Sequence, residues 1–260
     1  MSRIYINEWP FYSPPDQAKK ENVLMVAKLM VNAALSAPFT GGVSGVEAEI
    51  AYGQKELENI AREMERLAHE EVPKKLKKPF LYESAMVRES DAIVFFGNFR
   101  ARNTPMDAGC GLCGGEPDCS FVYDRVPNLN GVIDHTDRRR KTTINGPLCM
   151  LRAHDLGYAV GSAVWIASTH FVDCKPCYSV GLAGRNLEFC YNSEVVVGIL
   201  VAVAAKNPFA DIPTDYHLTN MTNQVDSLRK IAVVTRQMAN HPYMLFDPAR
   251  QAEDKKNKQE

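Results

Sequence analysis

The sequence predicts a mixed α/β or α+β fold, a central sheet flanked by helices with a cysteine-rich loop inserted in it. Three observations lead there. Helix-period and strand-like segments alternate in the order helix, strand, helix, strand, helix, helix, strand, helix. The strand segments are short and rich in β-branched or aromatic residues. Three cysteines and four glycines crowd into one segment directly after the second strand.

Each element has its own warrant. Residues 1–17 form an aromatic, Pro-containing arm, and 18–245 form one domain. The segment 18–36, AKKENVLMVAKLMVNAALS, reads as a mostly apolar helix buried on much of its circumference, ended by Pro38 and the Gly-rich FTGGVSG. VEAEIAY, 46–52, reads as a strand. Over 54–71, Leu57, Ile60, Ala61, Met64, Leu67 and Ala68 recur at amphipathic helix spacing, with a charged solvent face opposite. VPKKLKKP, 72–79, reads as a basic linker. DAIVFFG, 91–97, is a strand buried on both faces. The cluster loop and insert span 109–149 and carry DRRRK at 137–141, a solvated charge run. A second apolar helix covers 147–169, where Gly157, Ala159, Gly161, Ser162 and Ala163 let another backbone approach closely. A short helix at 176–189, a buried strand at 195–205 and a last helix over 222–240 follow. The charged tail 246–260 is expected to be disordered.

The composition excludes several classes. The chain has 260 residues, 45% hydrophobic and 23% charged, with a formal net charge of −1. That charge gives no ground for a nucleic-acid partner. The longest apolar run, VVVGILVAVAA, is too short to cross a bilayer as a helix. The N-terminus lacks a basic region followed by an apolar run, so no signal peptide is expected and a cytoplasmic location is. No P-loop, G-x-S-x-G elbow or H-E-x-x-H occurs.

The seven cysteines carry the chemistry. An odd count without a secretory signal argues for metal ligands or redox groups over a disulfide framework. Cys110, Cys113 and Cys119 lie in CGLCGGEPDC, where Gly lets the chain fold tightly around an inorganic core. The fourth ligand is best supplied by Cys149, expected at a helix start, whose positive end lowers a thiol pKa and favours an anionic 4Fe-4S cluster. Spacing alone leaves zinc open, held by Cys110, Cys113, Cys174 and Cys177. Such a site has no role for Cys119, which favours iron. Cys174, Cys177 and Cys190 form a second group: ligands of a second site, a C-x-x-C disulfide, or small buried side chains. Cys190 fits the last.

The segments CGLCGGEPDC (110–119), PLCMLRAHDLGYAVGSAVWIA (147–167), VDCKPCYSVGLAG (172–184), AAKNPFAD (204–211) and SAPFTGGVSGVEAEIAYG (36–53) resemble the ferredoxin-domain-containing family of uncharacterised iron–sulfur proteins of anaerobic prokaryotes. The resemblance implies a 4Fe-4S cluster on Cys110, Cys113, Cys119 and Cys149, and no particular reaction. That family's pattern usually lacks cysteines at 174 and 177. A second resemblance is to the flavin-binding nitroreductase fold, through the helix ending in Ala37-Pro38 before a Gly-rich loop and the later Leu-Gly-x-Ala-x-Gly run (156–161). It implies an α+β dimer with FMN at the subunit interface, near Ser36, Pro38, Gly41 and Gly42. The basic N-terminal motif usual in those enzymes is reduced here to Arg3.

Among other residues, His135, His154 and His170 read as structural, Asp155 as a helix-surface salt-bridge partner, and Trp165 as core. The sequence thus points to an electron-transfer protein or oxidoreductase, a homo-oligomer, working with a redox partner protein or small-molecule substrate. The alternative is a non-catalytic interaction module stapled by zinc or a cluster, in which the Arg-rich segment meets a partner.

Overall fold

A computed structural model describes residues 17–99, 110–112, 128–129, 132–133, 148–204 and 207–210. The chain divides into two compact units, Met1–Asp211 and Ile212–Glu260, and every described residue belongs to the first. The predicted helix at 222–240, the tail, the Arg-rich run, His135, Cys113 and Cys119 lie outside the described residues.

The elements are α1 (Gln17–Leu35), a 3-10 turn (Thr40–Gly42), β1 (Val46–Tyr52), α2 (Gln54–Glu70), α3 (Lys74–Arg88), β2 (Ala92–Phe99), the two-residue strands β3 (Asn128–Leu129) and β4 (Val132–Ile133), α4 (Met150–Thr169), β5 (Asp173–Cys177), α5 (Tyr178–Asn186) and β6 (Ser193–Ala202). Among the described residues, strands β3 and β4 pair only with each other. The main sheet runs β1-β2-β6-β5 and is antiparallel throughout. The expected class, helices on a central sheet, is the class observed.

Strand alternation sorts the side chains onto two faces. Ala92, Val94 and Phe96 of β2 and Val197, Ile199 and Val201 of β6 point toward α1 and α4, meeting Val23, Met30, Leu156 and Ala159. Ile93 and Phe95, with Val196 and Leu200, point toward α2, α3 and α5. The central strands are therefore buried on both faces, which is why they read as unbroken apolar runs. Helix α5 lies unusually close to the sheet. A Cβ on Gly181 would stand 1.9 Å from the Val196 carbonyl oxygen, and one on Gly184 would stand 2.3 Å from the Phe95 ring. Only Gly fits at either point.

Four expectations need correction. Residues 72–79 are not a linker: Pro73 is the N-cap of α3, and the helix continues through Pro79. The amide that Pro79 lacks falls near the helix start, and burial of Phe80 and Val87 against α2 outweighs one missing bond. Residues 173–177 form a strand, so the helix expected from 176 begins at Tyr178; Pro176 fits because β5 is an edge strand. Trp165 is not core but 70% exposed. The buried stripe of α4 follows Leu156, Ala159, Ala163 and Ala167, which turns Trp165 outward. Helix α1 is likewise buried along one side only, with Met25, Leu29 and Leu35 exposed.

Candidate metal centre

Antiparallel pairing gathers three features at one end of the sheet. Val46 pairs with Asn98, and Ser193 with Phe99, so the start of β1, the end of β2 and the start of β6 share that end. The Gly-rich segment 39–45 enters β1 there. The chain leaves β2 there, after Phe99, toward Cys110. It returns through Cys149 as the N-cap of α4, whose first two turns are bonded to the same Gly-rich segment.

Those bonds form a buried clasp. The Thr40 amide and hydroxyl both donate to Asp155 Oδ1, at 2.9 and 2.8 Å. Arg152 Nη1 donates to the Val43 carbonyl at 2.8 Å and pairs with Asp155 Oδ2 at 3.2 Å. The guanidinium also lies over Gly45, where a Cβ would stand 3.1 Å from Nη1. Arg152 and Asp155 are both buried, and each meets the other's charge there. Asp155 is therefore not a helix-surface residue, as the sequence suggested. Gly41 and Gly42 take φ values of 67° and 71°, the left-handed region that Gly enters without strain.

The candidate ligands divide. Cys149 is half-buried at the N-terminus of a 20-residue helix, where first-turn amides lack helical acceptors. Its carbonyl accepts from Ala153 at 3.0 Å, while its thiol makes no capping bond and is in no disulfide. Cys110 is exposed and free. Among the described residues no three His, Cys, Asp or Glu side chains gather as a metal site.

Cys174 and Cys177 are not brought together. They stand three apart on one strand, so they project from opposite faces of the sheet. Cys174, opposite Val201, packs on the α1–α4 side; Cys177, opposite Gly198, is buried on the α5 side. A shared metal or an intact-strand disulfide would require both thiols on one side, which removes the geometric basis of the zinc set. Burial raises the Cys177 thiol to about 12, with Glu83 adding to it. Burial, then Asp173, raises Cys174 as well. Cys190 is fully buried; its amide donates to Glu49 Oε1 at 3.0 Å, and burial followed by Glu47 and Glu49 drives its thiol far up. It is a packing residue.

Of the flavin candidates, Ser36 spends its hydroxyl on the Asn32 carbonyl at 2.9 Å. Pro38, Gly41 and Gly42 are exposed, and nothing lies within 4 Å of a Cβ built on Gly42. His154 and His170 are exposed. Thr40 and Arg152 escaped the sequence reading. The available signal was that Arg152 and Asp155, spaced i, i+3, are the only Asp, Glu, Lys or Arg residues of α4. No helix of the described residues is long and apolar enough to cross a membrane.

Residues 145–211 match a family described as uncharacterized proteins containing a ferredoxin domain; the match includes Cys149 and lies wholly C-terminal to the Cys110–Cys119 segment. An uncharacterized protein of Archaeoglobus fulgidus is 30% identical over 193 residues, 74% of this chain and 93% of that protein. Among solved structures, nitroreductase A from Vibrio parahaemolyticus is similar at a TM-score of 0.43 and 12% identity, over 94% of this chain and 83% of that one. A nitroreductase with bound FMN from Desulfitobacterium hafniense is similar at 0.41 and 13%, over 81% and 89%.

Proposed function

Because the chain belongs to a family of uncharacterised proteins that contain a ferredoxin domain, we propose that it is an iron–sulfur redox protein holding a 4Fe-4S cluster on Cys110, Cys113, Cys119 and Cys149, acting in electron transfer or as an oxidoreductase. The observation that supports this most is topological. The chain leaves β2 toward three of the four thiols at the same sheet end to which it returns with the fourth.

The donor set suits the group. Four thiolates with an x2 spacing and a Gly-rich segment match cluster chemistry. The described members, Cys110 and Cys149, are free thiols. When bound, the cluster supplies one-electron transfer. The chain's own residues do the rest. Cys149 presents its sulfur beside the positive end of α4. Arg152 and Asp155 fix the first turns of that helix to the Gly-rich segment, so the ligand stands on a rigid element.

Anaerobically purified protein tests this. The expected result is a brown protein bleached by dithionite, with roughly four iron and four sulfide per chain. A colourless protein with one zinc per chain overturns it in favour of a metal-stapled interaction module.

A second reading adds FMN at the Gly41–Gly42 turn, supported by the open space over Gly42 at that same sheet end. Denaturing the protein and assaying released FMN decides it: about one FMN per chain supports the reading, and none removes it.

A further inference from the structure

A polar side chain buried in a fold nearly always bonds to something, and an exception asks for a partner that the protein itself does not supply. Among the described residues the buried serines bond to carboxylates or carbonyls. Arg152 is held by Asp155, and Arg185 by Glu194. Asn98 differs from all of these. It is 9% exposed, and among the described residues its side-chain amide takes part in no hydrogen bond.

Its place in the sheet is specific. Strand alternation sets Asn98 on the α1–α4 face, with Ala92, Val94 and Phe96. It pairs with Val46, which packs on that same face, and paired Cα atoms stand about 5 Å apart. Gly45, the residue before Val46, lies under the Arg152 guanidinium, and Arg152 is one turn along α4 from Cys149. Asn98 and Cys149 therefore share one end and one face of the sheet. The β2–β6 register slips between Gly97 and Phe99, so Asn98 sits at an irregularity of the kind that re-aims a side chain at a sheet end. After Phe99 the chain departs toward Cys110.

We propose that the Asn98 side chain donates its Nδ2–H to a sulfur of the iron–sulfur centre held by Cys149, and so raises the reduction potential of that centre.

The inference rests on the cluster assignment made above and adds to it a residue that sets the centre's chemistry. Cluster sulfurs are anionic acceptors, and an N–H aimed at one stabilises the reduced, more negative state more than the oxidised state. Asn is suited to that task because it donates without bringing a charge into the interior. An ordered water is the other partner to weigh. A buried water needs two to four polar contacts. The side chains beside Asn98 on its face, Val46 and Phe96, are apolar and offer it none.

Redox titration of the anaerobically purified full-length protein tests the proposal. Asn98→Leu keeps the volume and removes the donor. At the potential that half-reduces the wild type, the variant's reduced-to-oxidised ratio should fall about tenfold, a shift of about 59 mV for one electron. Urea unfolding of the iron-free protein is the second readout. There the amide has no partner to lose, so Asn98→Leu should unfold at the wild-type urea concentration or above it. Iron loss in Asn98→Leu with that stability kept supports the same bond, because only the loaded form has lost a partner. An iron-loaded variant with the wild-type potential overturns the inference and leaves the cluster reading standing. So does an iron-free variant that unfolds early, which would give the amide a partner within the protein. A wild type that binds no iron overturns both.

Discussion

Thr40 gives both its backbone amide and its hydroxyl to a single oxygen of Asp155, 115 residues away in sequence. The other oxygen of that carboxylate holds Arg152, which in turn holds the Val43 carbonyl. One side chain thus ties the Gly-rich turn to the helix that begins at Cys149.

Replacing Asp155 should therefore be costly. Asp155→Ala takes one carboxylate from the buried Arg152 guanidinium and the acceptor from Thr40, an expected loss of about 3 kcal/mol. Thr40→Val removes one neutral-to-charged bond and should cost about 1.5–3 kcal/mol. Urea unfolding followed by circular dichroism measures both, and equal losses would contradict the arrangement.

Iron content should separate the cysteines. Cys149→Ala and Cys119→Ala should lose most of the iron. Cys174→Ala, Cys177→Ala and Cys190→Ala should keep it, since these thiols occupy two faces of the sheet and a packed interior. Iron analysis of the anaerobically purified variants checks this. A full load in Cys119→Ala, or a loss in Cys190→Ala, would contradict the ligand assignment.

Alkylation follows from the same burial. A raised thiol pKa keeps the sulfur protonated, and hence unreactive, until pH approaches the raised value. Cys177, pushed up to about 12, and Cys190, pushed further, should resist iodoacetamide at pH 8 while the fold persists. Cys110, exposed, should react first in metal-free protein. Mass spectrometry of timed samples gives the order, and cluster loading should then protect Cys110.

Much of this was legible in advance. The alternation of β1, the unbroken apolar runs of β2 and β6 and the 3.6 period of α2 place all four within a few residues of their observed bounds. Helix α3 was hidden because Pro79 and four lysines look like a linker when Phe80, Ser84 and Val87 are not read with them. Trp165 reads as core in the sequence because an almost uncharged helix does not reveal which stripe faces the sheet. The Thr40–Asp155 bond was out of reach, because residues so distant in sequence meet only through tertiary packing. For Cys174 and Cys177, the two-residue gap that suits a loop ligand puts both sulfurs on opposite sides once the segment is extended.

Close contact of α5 with the sheet gives a further test. Gly181→Ala would press a methyl group into the Val196 carbonyl, which belongs to a central strand and cannot rotate away. The expected loss is about 3 kcal/mol. Thermal unfolding measures it, and a wild-type midpoint would show that α5 stands further off.

The α2–α3 surface should contribute to the acid sensitivity of the fold. Glu58 is held down to about 2 by hydrogen bonds from Arg88 and then Arg62, and Arg88 also lowers Glu65. A depressed carboxylate contributes its stability fully above its ordinary value near 4.5, and the contribution fades as pH falls toward 2. Arg88→Met should flatten the pH dependence of stability across that window. Chemical denaturation at stepped pH reads the slope, and an unchanged slope would assign it elsewhere.

The chain leaves the sheet after Phe99 and re-enters the described layers at Leu148, at the same end of the sheet. Among the described residues, neither packed core includes Cys110 or Cys149, two of the proposed ligands. Under the proposed reading, an oxidant that strips the iron would leave those described contacts in place, and the emptied site would be refilled instead of degraded.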